Sequence, residues 1–198
     1  MSLPRRSDAI QQRGEPFVLM LDGIVLGMVA GLLARGSFSN LRDVRLRGET
    51  AIFLLLIIQL AIPSVTNRFG VSHTLALAAW LAVMAGLVAL ALWNRFTPGI
   101  LLAGIGIAMN FLAIGLNAAM PVSPAAIAIL NGDRPAPKFD LLHEELTEAT
   151  VAPFLADVIP VPGPSWHRGI ASVGDFVLMT GAGYCIFASM RGKRVVGG

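Results

Sequence analysis

Five long apolar stretches set the terms on which this chain can fold. They cover residues 17–34, 51–65, 74–93, 99–120 and 173–190. A helix crossing about 30 Å of hydrocarbon needs about 20 residues, within a working range of about 17–25. Four stretches meet that range directly. The second is shorter and carries Pro63, but residues 66–69 can lengthen it, and a proline near a helix end is tolerated. Composition leads to the same place. Charged residues make up 14% of the chain and hydrophobic ones 55%, whereas a soluble domain is about 25% charged. A soluble domain of 198 residues has too little interior to hide that apolar surface, so lipid must be part of its solvent. The expected fold is all-α, a polytopic helical membrane bundle of about five transmembrane helices.

The chain then divides into a polar N-terminal tail (1–16), transmembrane helices one to four (17–120), a long proline-rich external loop (121–172), a fifth transmembrane helix (173–190) and a basic C-terminal tail (191–198). The loop holds most of the twelve prolines, so it cannot form one continuous helix. Two short interfacial helices are expected within it, over 123–130 and over 140–150, the second with Glu144, Glu145 and Glu148 on its wet side. Arginines flanking the spans set orientation. Arg35, Arg42, Arg45 and Arg47 follow the first stretch, and Arg191, Lys193 and Arg194 follow the fifth. Placing both groups in the cytoplasm puts the N-terminus and the 121–172 loop outside, although Arg5, Arg6 and Arg13 in the N-terminal tail pull the other way. The first stretch follows those arginines as a signal peptide would. However, Leu32-Leu33-Ala34-Arg35 offers no small-x-small cleavage site, so an uncleaved span is expected.

Gly23, Gly27 and Gly31 recur every four residues, which places them on one helix face where another backbone can approach closely. The ordinary reading is packing against a neighbouring span; the sharper one is contact with another membrane protein or a second copy. Gly181 and Gly183, only two apart, do not share a face and are expected to add little.

Ionisable groups inside a span cost a few kcal/mol on insertion scales, so each is a candidate functional residue. Two occur, Asp22 and Asp175, with Asn110 and Asn117 as supporting amides. In the orientation above, Asp22, Asn117 and Asp175 lie near the outer face, and Asp157 in the loop approaches the same surface. The ordinary reading of Asp175 is a helix cap, since Ser172-Val-Gly174 precedes it. Asp157 is equally readable as a turn residue, and Asp22 as a partner of a nearby backbone group or arginine. His73, His143 and His167 fall in connections, which suits neither haem ligation nor a zinc pair at helical spacing. No metal site and no cofactor is expected. Cys185 has no partner for an internal disulfide. A net charge of +3 with scattered arginines excludes a nucleic-acid surface.

Two stretches carry a resemblance. Asn110-Phe-Leu-Ala-Ile-Gly-Leu-Asn117-Ala-Ala-Met-Pro121-Val is one. The other is Phe154-Leu-Ala-Asp157-Val-Ile-Pro-Val-Pro followed by Ser172-Val-Gly-Asp175-Phe-Val-Leu. Together with the basic loop behind a glycine-rich first span, they resemble a family of small bacterial membrane proteins of unknown function. That resemblance implies a bacterial inner-membrane protein and carries no activity. The Asp157 and Asp175 region is also similar to the lipoprotein signal peptidase, which uses one aspartate before its last span and one at its start; Leu21-Asp22 resembles a first-span aspartate there. The resemblance implies that Asp157 and Asp175 share a proton, one activating water while the other donates to the scissile carbonyl. The chain departs from that family in its five spans. The family's asparagine–arginine motif also has no clean counterpart, since Asn131-Gly-Asp133-Arg134 is compressed and sits in a proline-rich loop. Three functions are therefore expected in this order: a non-catalytic accessory or scaffold subunit, an intramembrane aspartyl hydrolase, and a small-solute transporter. The third would show inverted repeats and broken helices, and the sequence carries neither sign.

Overall fold

The computed structural model describes residues 15–132, 139–164 and 167–192, with side chains from Leu19 onward in the first helix. The tail residues Arg5, Arg6, Arg13, Lys193 and Arg194, and Asp133 and Arg134 of the loop, lie outside the described residues.

The chain is mostly helical. In order, it forms α1 (Glu15–Leu33), α2 (Glu49–Phe69), α3 (His73–Trp93), α4 (Ile100–Asn117), β1 (Met120–Val122), α5 (Pro124–Asn131), β2 (His143–Glu145), β3 (Ile159–Val161), β4 (Gly169–Ala171) and α6 (Val173–Met190). Single 3-10 turns occupy Phe38–Asp43 and Pro153–Leu155. Among the described residues α2, α3, α4 and α6 are long and apolar enough to cross a membrane, and the described apolar run of α1 is Leu19–Leu33. The second stretch does extend to Phe69, with Pro63 inside the helix. The fourth stops three residues short of the 99–120 expected: Ala118 turns left-handed (φ 63°) and the chain enters β1.

The helices pack in the row α1–α6–α4–α3–α2, so α6 is inserted between the first and fourth helices. Glycine makes that insertion possible. A Cβ on Gly23 would strike the Met179 backbone, one on Gly27 would sit 3.0 Å from Gly183 Cα, and one on Gly31 would sit 2.8 Å from Met190 Sδ. All three residues thus face α6. The pair set aside in the sequence proves informative. Gly183 opens α6 toward Gly23 of α1, whereas a Cβ on Gly181 would lie 2.8 Å from Ala103 Cα of α4. Two glycines two residues apart serve two neighbours because α6 is flanked on both sides. Gly106 continues the seam, 2.9 Å from Leu178 Cα by the same measure. Lipid tails are as apolar as leucine, so close backbone contact of this kind replaces hydrophobic burial as the force between helices.

The described residues of the 121–172 segment form a folded cap. β1 pairs in parallel with β2 and β3 pairs antiparallel with β4. Val122, Ala126, Ile127 and Ile170 form a small core inside it, while Met84, Ala113, Ile114, Met120 and Leu155 join the cap to α3 and α4. The helix expected over 123–130 is α5, with Ser123 as its cap and Pro124 in its first turn. The helix expected over 140–150 does not form. Residues 143–145 are a strand whose backbone groups pair with Met120–Val122, which satisfies them across the chain.

Candidate functional site

Three polar assemblies gather where the cap meets α1, α4 and α6. The first is a helix start. Ser172 Oγ accepts from the Asp175 N–H at 3.0 Å, and the Asp175 carboxylate accepts from the Ser172 N–H at 2.9 Å, a reciprocal capping box that satisfies two free donors of α6. Asn110, from the interior of α4, donates to Asp175 Oδ1 at 2.7 Å. Ser172 Oγ lies 2.9 Å from both Asp175 Oδ2 and Asn110 Oδ1, so its one proton is shared between them. Both oxygens of Asp175 are thereby engaged, in a place where the carboxylate is 6% exposed and Ser172 fully buried.

The second assembly is built by the strands. Asp157 bridges Val122 in parallel, taking the Pro121 carbonyl with its N–H and giving its own carbonyl to the Ser123 N–H, both at 2.9 Å. On the other side of β1, β2 carries His143. Its Nε2 is 3.9 Å from Asp157 Oδ2, and its Nδ1 is 2.7 Å from Asp140 Oδ1. An imidazole therefore stands between a buried carboxylate and a half-exposed one. Burial pushes the Asp140 carboxyl up, but the His143 hydrogen bond and charge, with the Leu142 and His143 backbone N–H groups, outweigh it and hold the group below its usual range. At 3.9 Å the ring is within ion-pair range of Asp157 but not hydrogen-bonded to it, and Asp140 fixes the ring.

The third assembly is a tie. Asp22 pairs with His167 Nε2 at 2.7 Å and fastens the first helix to the β3–β4 connection. Asn117 does a similar job at the end of α4. Its amide donates to the Ala113 and Val151 carbonyls and accepts from the Val151 N–H.

The structure thus brings Asp22, Asn110, Asn117, Asp157 and Asp175 to one end of the bundle, with the Asp157 and Asp175 carboxylates joined to different networks. His143 and His167 fall in connections and Asp140 opens the helix expected over 140–150, so none stands out in the sequence as a site residue. The signal that finds His143 and Asp140 is the parallel pairing of β1 with β2, and the one that finds His167 is the β3–β4 hairpin beside α1; a linear reading displays neither. Among the described residues no group of three or more His, Cys, Asp or Glu side chains is arranged to hold a metal ion.

The model of one family matches residues 43–187, which takes in four of the long helices and the whole cap. The chain belongs to DUF5317, a family of unknown function. DUF5317 thus covers both motifs quoted above, and the expected kinship with a family lacking an assigned activity holds. A relative from Thermotoga maritima, itself described as an uncharacterized protein, is 32% identical over 57% of this chain and 68% of its own length. No solved structure matches the chain.

Proposed function

We propose that this chain is a non-catalytic accessory or scaffold subunit of a membrane complex, spanning the bacterial inner membrane five times and presenting its folded cap on the outer side. The observation that carries this reading is the capping box. Asp175, the residue best placed to be half of a catalytic dyad, has both oxygens occupied in holding the start of α6 and the side chain of Asn110. A dyad needs a carboxylate that can exchange a proton with its partner and with water. Asp22 and Asn117 tie elements together in the same manner. Partners are the bilayer and another membrane protein or a second copy of the chain.

One observation favours a second reading, an intramembrane aspartyl hydrolase. The buried Asp157 carboxylate faces the His143 ring at 3.9 Å, and Asp140 orients that ring, a combination suited to acid–base work. The experiment that separates the two is lipoprotein-precursor processing in cells depleted of their own signal peptidase, with wild type, Asp157→Asn and Asp175→Asn. The scaffold reading expects no processing by any of the three. Rescue by wild type and loss with Asp157→Asn would overturn it.

A further inference from the structure

At the end of the bundle opposite the cap, arginines from three separate parts of the chain converge. Arg35, Arg42, Arg45 and Arg47 lie in the connection after α1, Arg95 follows α3, and Arg191 ends α6. All six are exposed. The connection that carries four of them is fastened in place. The Ser37 N–H and Asn40 Nδ2 donate to the Met190 carbonyl at 2.9 and 2.7 Å, which ties the loop to the end of α6. Asn94, 5% exposed at the end of α3, accepts from the Arg47 N–H at 2.8 Å and donates to the Arg47 and Leu90 carbonyls at 2.9 and 2.8 Å. Two asparagines thus fix where the guanidinium groups stand.

Asp43 and Glu49 are the carboxylates nearest them in sequence, yet among the described residues no ion pair joins a carboxylate to any of the six. Arg95 lies over the exposed ring of Phe96 at 4.5 Å, and Arg191 lies 5.8 Å from the Phe187 ring. Guanidinium groups above apolar helix ends, flanked by exposed Phe38 and Phe96, match the level at which lipid phosphates sit. The planar fork of arginine also suits phosphate oxygens.

We propose that this end of the bundle is a docking surface for the phosphate headgroups of anionic phospholipids, gripped chiefly by Arg42, Arg45 and Arg47. The proposal rests on the reading of the chain as membrane-spanning. Each guanidinium near an anionic leaflet contributes about fivefold in affinity, so removing three weakens binding roughly a hundredfold. The test uses the full chain in neutral detergent, titrated with phosphatidylglycerol, phosphatidylcholine or inorganic phosphate while its melting temperature is followed. Phosphatidylglycerol raises the melting temperature, while phosphatidylcholine and free phosphate do not. The triple variant Arg42→Gln, Arg45→Gln, Arg47→Gln keeps the lipid-free melting temperature and loses the rise. If the triple variant does not fold, Arg45→Gln alone, with the sensitivity of the wild-type rise to high salt, supplies the same answer. An equal rise with phosphatidylcholine, or a rise indifferent to salt and to the substitutions, overturns the proposal. Release of the chain from membranes by alkaline carbonate would instead overturn the membrane-spanning reading, which separates the two failures.

Discussion

Replacing Gly27 by alanine tests the α1–α6 seam with a single methyl group. The new Cβ would overlap the Gly183 carbonyl and sit 3.0 Å from Gly183 Cα, against an ordinary carbon–carbon separation of about 3.5–4.0 Å. The obstacle is backbone, so no side-chain rotation relieves it, and the two helices must separate by several tenths of an ångström or more. Gly23 against Met179 and Gly31 against Met190 lie on the same seam, and their contacts would loosen together. Overpacking of this kind costs about 1–3 kcal/mol, with the upper end expected where backbone meets backbone. For a chain of this size each kcal/mol lowers the melting temperature by about 2–4 °C, so a cost of about 2–3 kcal/mol should make Gly27→Ala melt roughly 4–12 °C early in detergent. Gly115→Ala is the matched control. Its Cβ would meet only Leu81 Cδ2 at an ordinary 3.8 Å, and alanine is the better helix former by about 1 kcal/mol. That variant should be neutral or slightly more stable. Equal melting of Gly27→Ala and wild type, or equal damage from both variants, would refute the close-contact account of the seam.

Asp175→Asn should lie within about 1 kcal/mol of wild type in stability, because the N3 amide oxygen can still accept from the Ser172 N–H and Asn110 can turn its amide to match. Asp175→Leu should lose about 1–3 kcal/mol by stranding Asn110 and Ser172, which thermal melts of the two variants would resolve. The folded-state pKa of Asp140 is depressed, so its contribution is present above the usual carboxylate value of 3.8 and is lost as pH falls below it. Acid titration followed by hydrogen exchange in the cap should therefore show β2 loosening in that window for wild type and less pH dependence for Asp140→Asn. The effect is small, because the carboxylate is half exposed. Impermeant cysteine reagents in intact cells, after Cys185→Ser, should label positions within 139–164 and spare positions within 35–50; the reverse pattern would invert the orientation.

What was legible in the sequence was what depends on neighbours in the chain. Length and apolarity marked the long helices, and Ser172 three residues before Asp175 marked the start of α6, because a cap is a local device. The cap domain was not legible. Its strands are three residues each, too short for an alternating pattern, and β1 finds β2 across an intervening helix. Glu144 and Glu145 read as the wet side of a helix for that reason. The same non-local pairing brings His143 to Asp157, so an imidazole beside a buried carboxylate reads in the sequence as a loop residue. Gly181 and Gly183 failed for a related cause. Their spacing excludes a shared face, but whether a helix has one neighbour or two is a property of the whole bundle.

The place of α6 between α1 and α4 has a consequence for biogenesis. α1 leaves the ribosome long before the helix it packs on: Asp22 and its partner His167 are 145 residues apart. At about 5–20 residues per second, that is a wait of roughly 7–29 s. Throughout it Asp22 stands in an apolar helix without the imidazole that later meets it, and the glycine faces of α1 and α4 are uncovered together. A nascent chain halted before α6 therefore displays two uncovered small-residue faces. Arrival of α6 covers both glycine faces in one step.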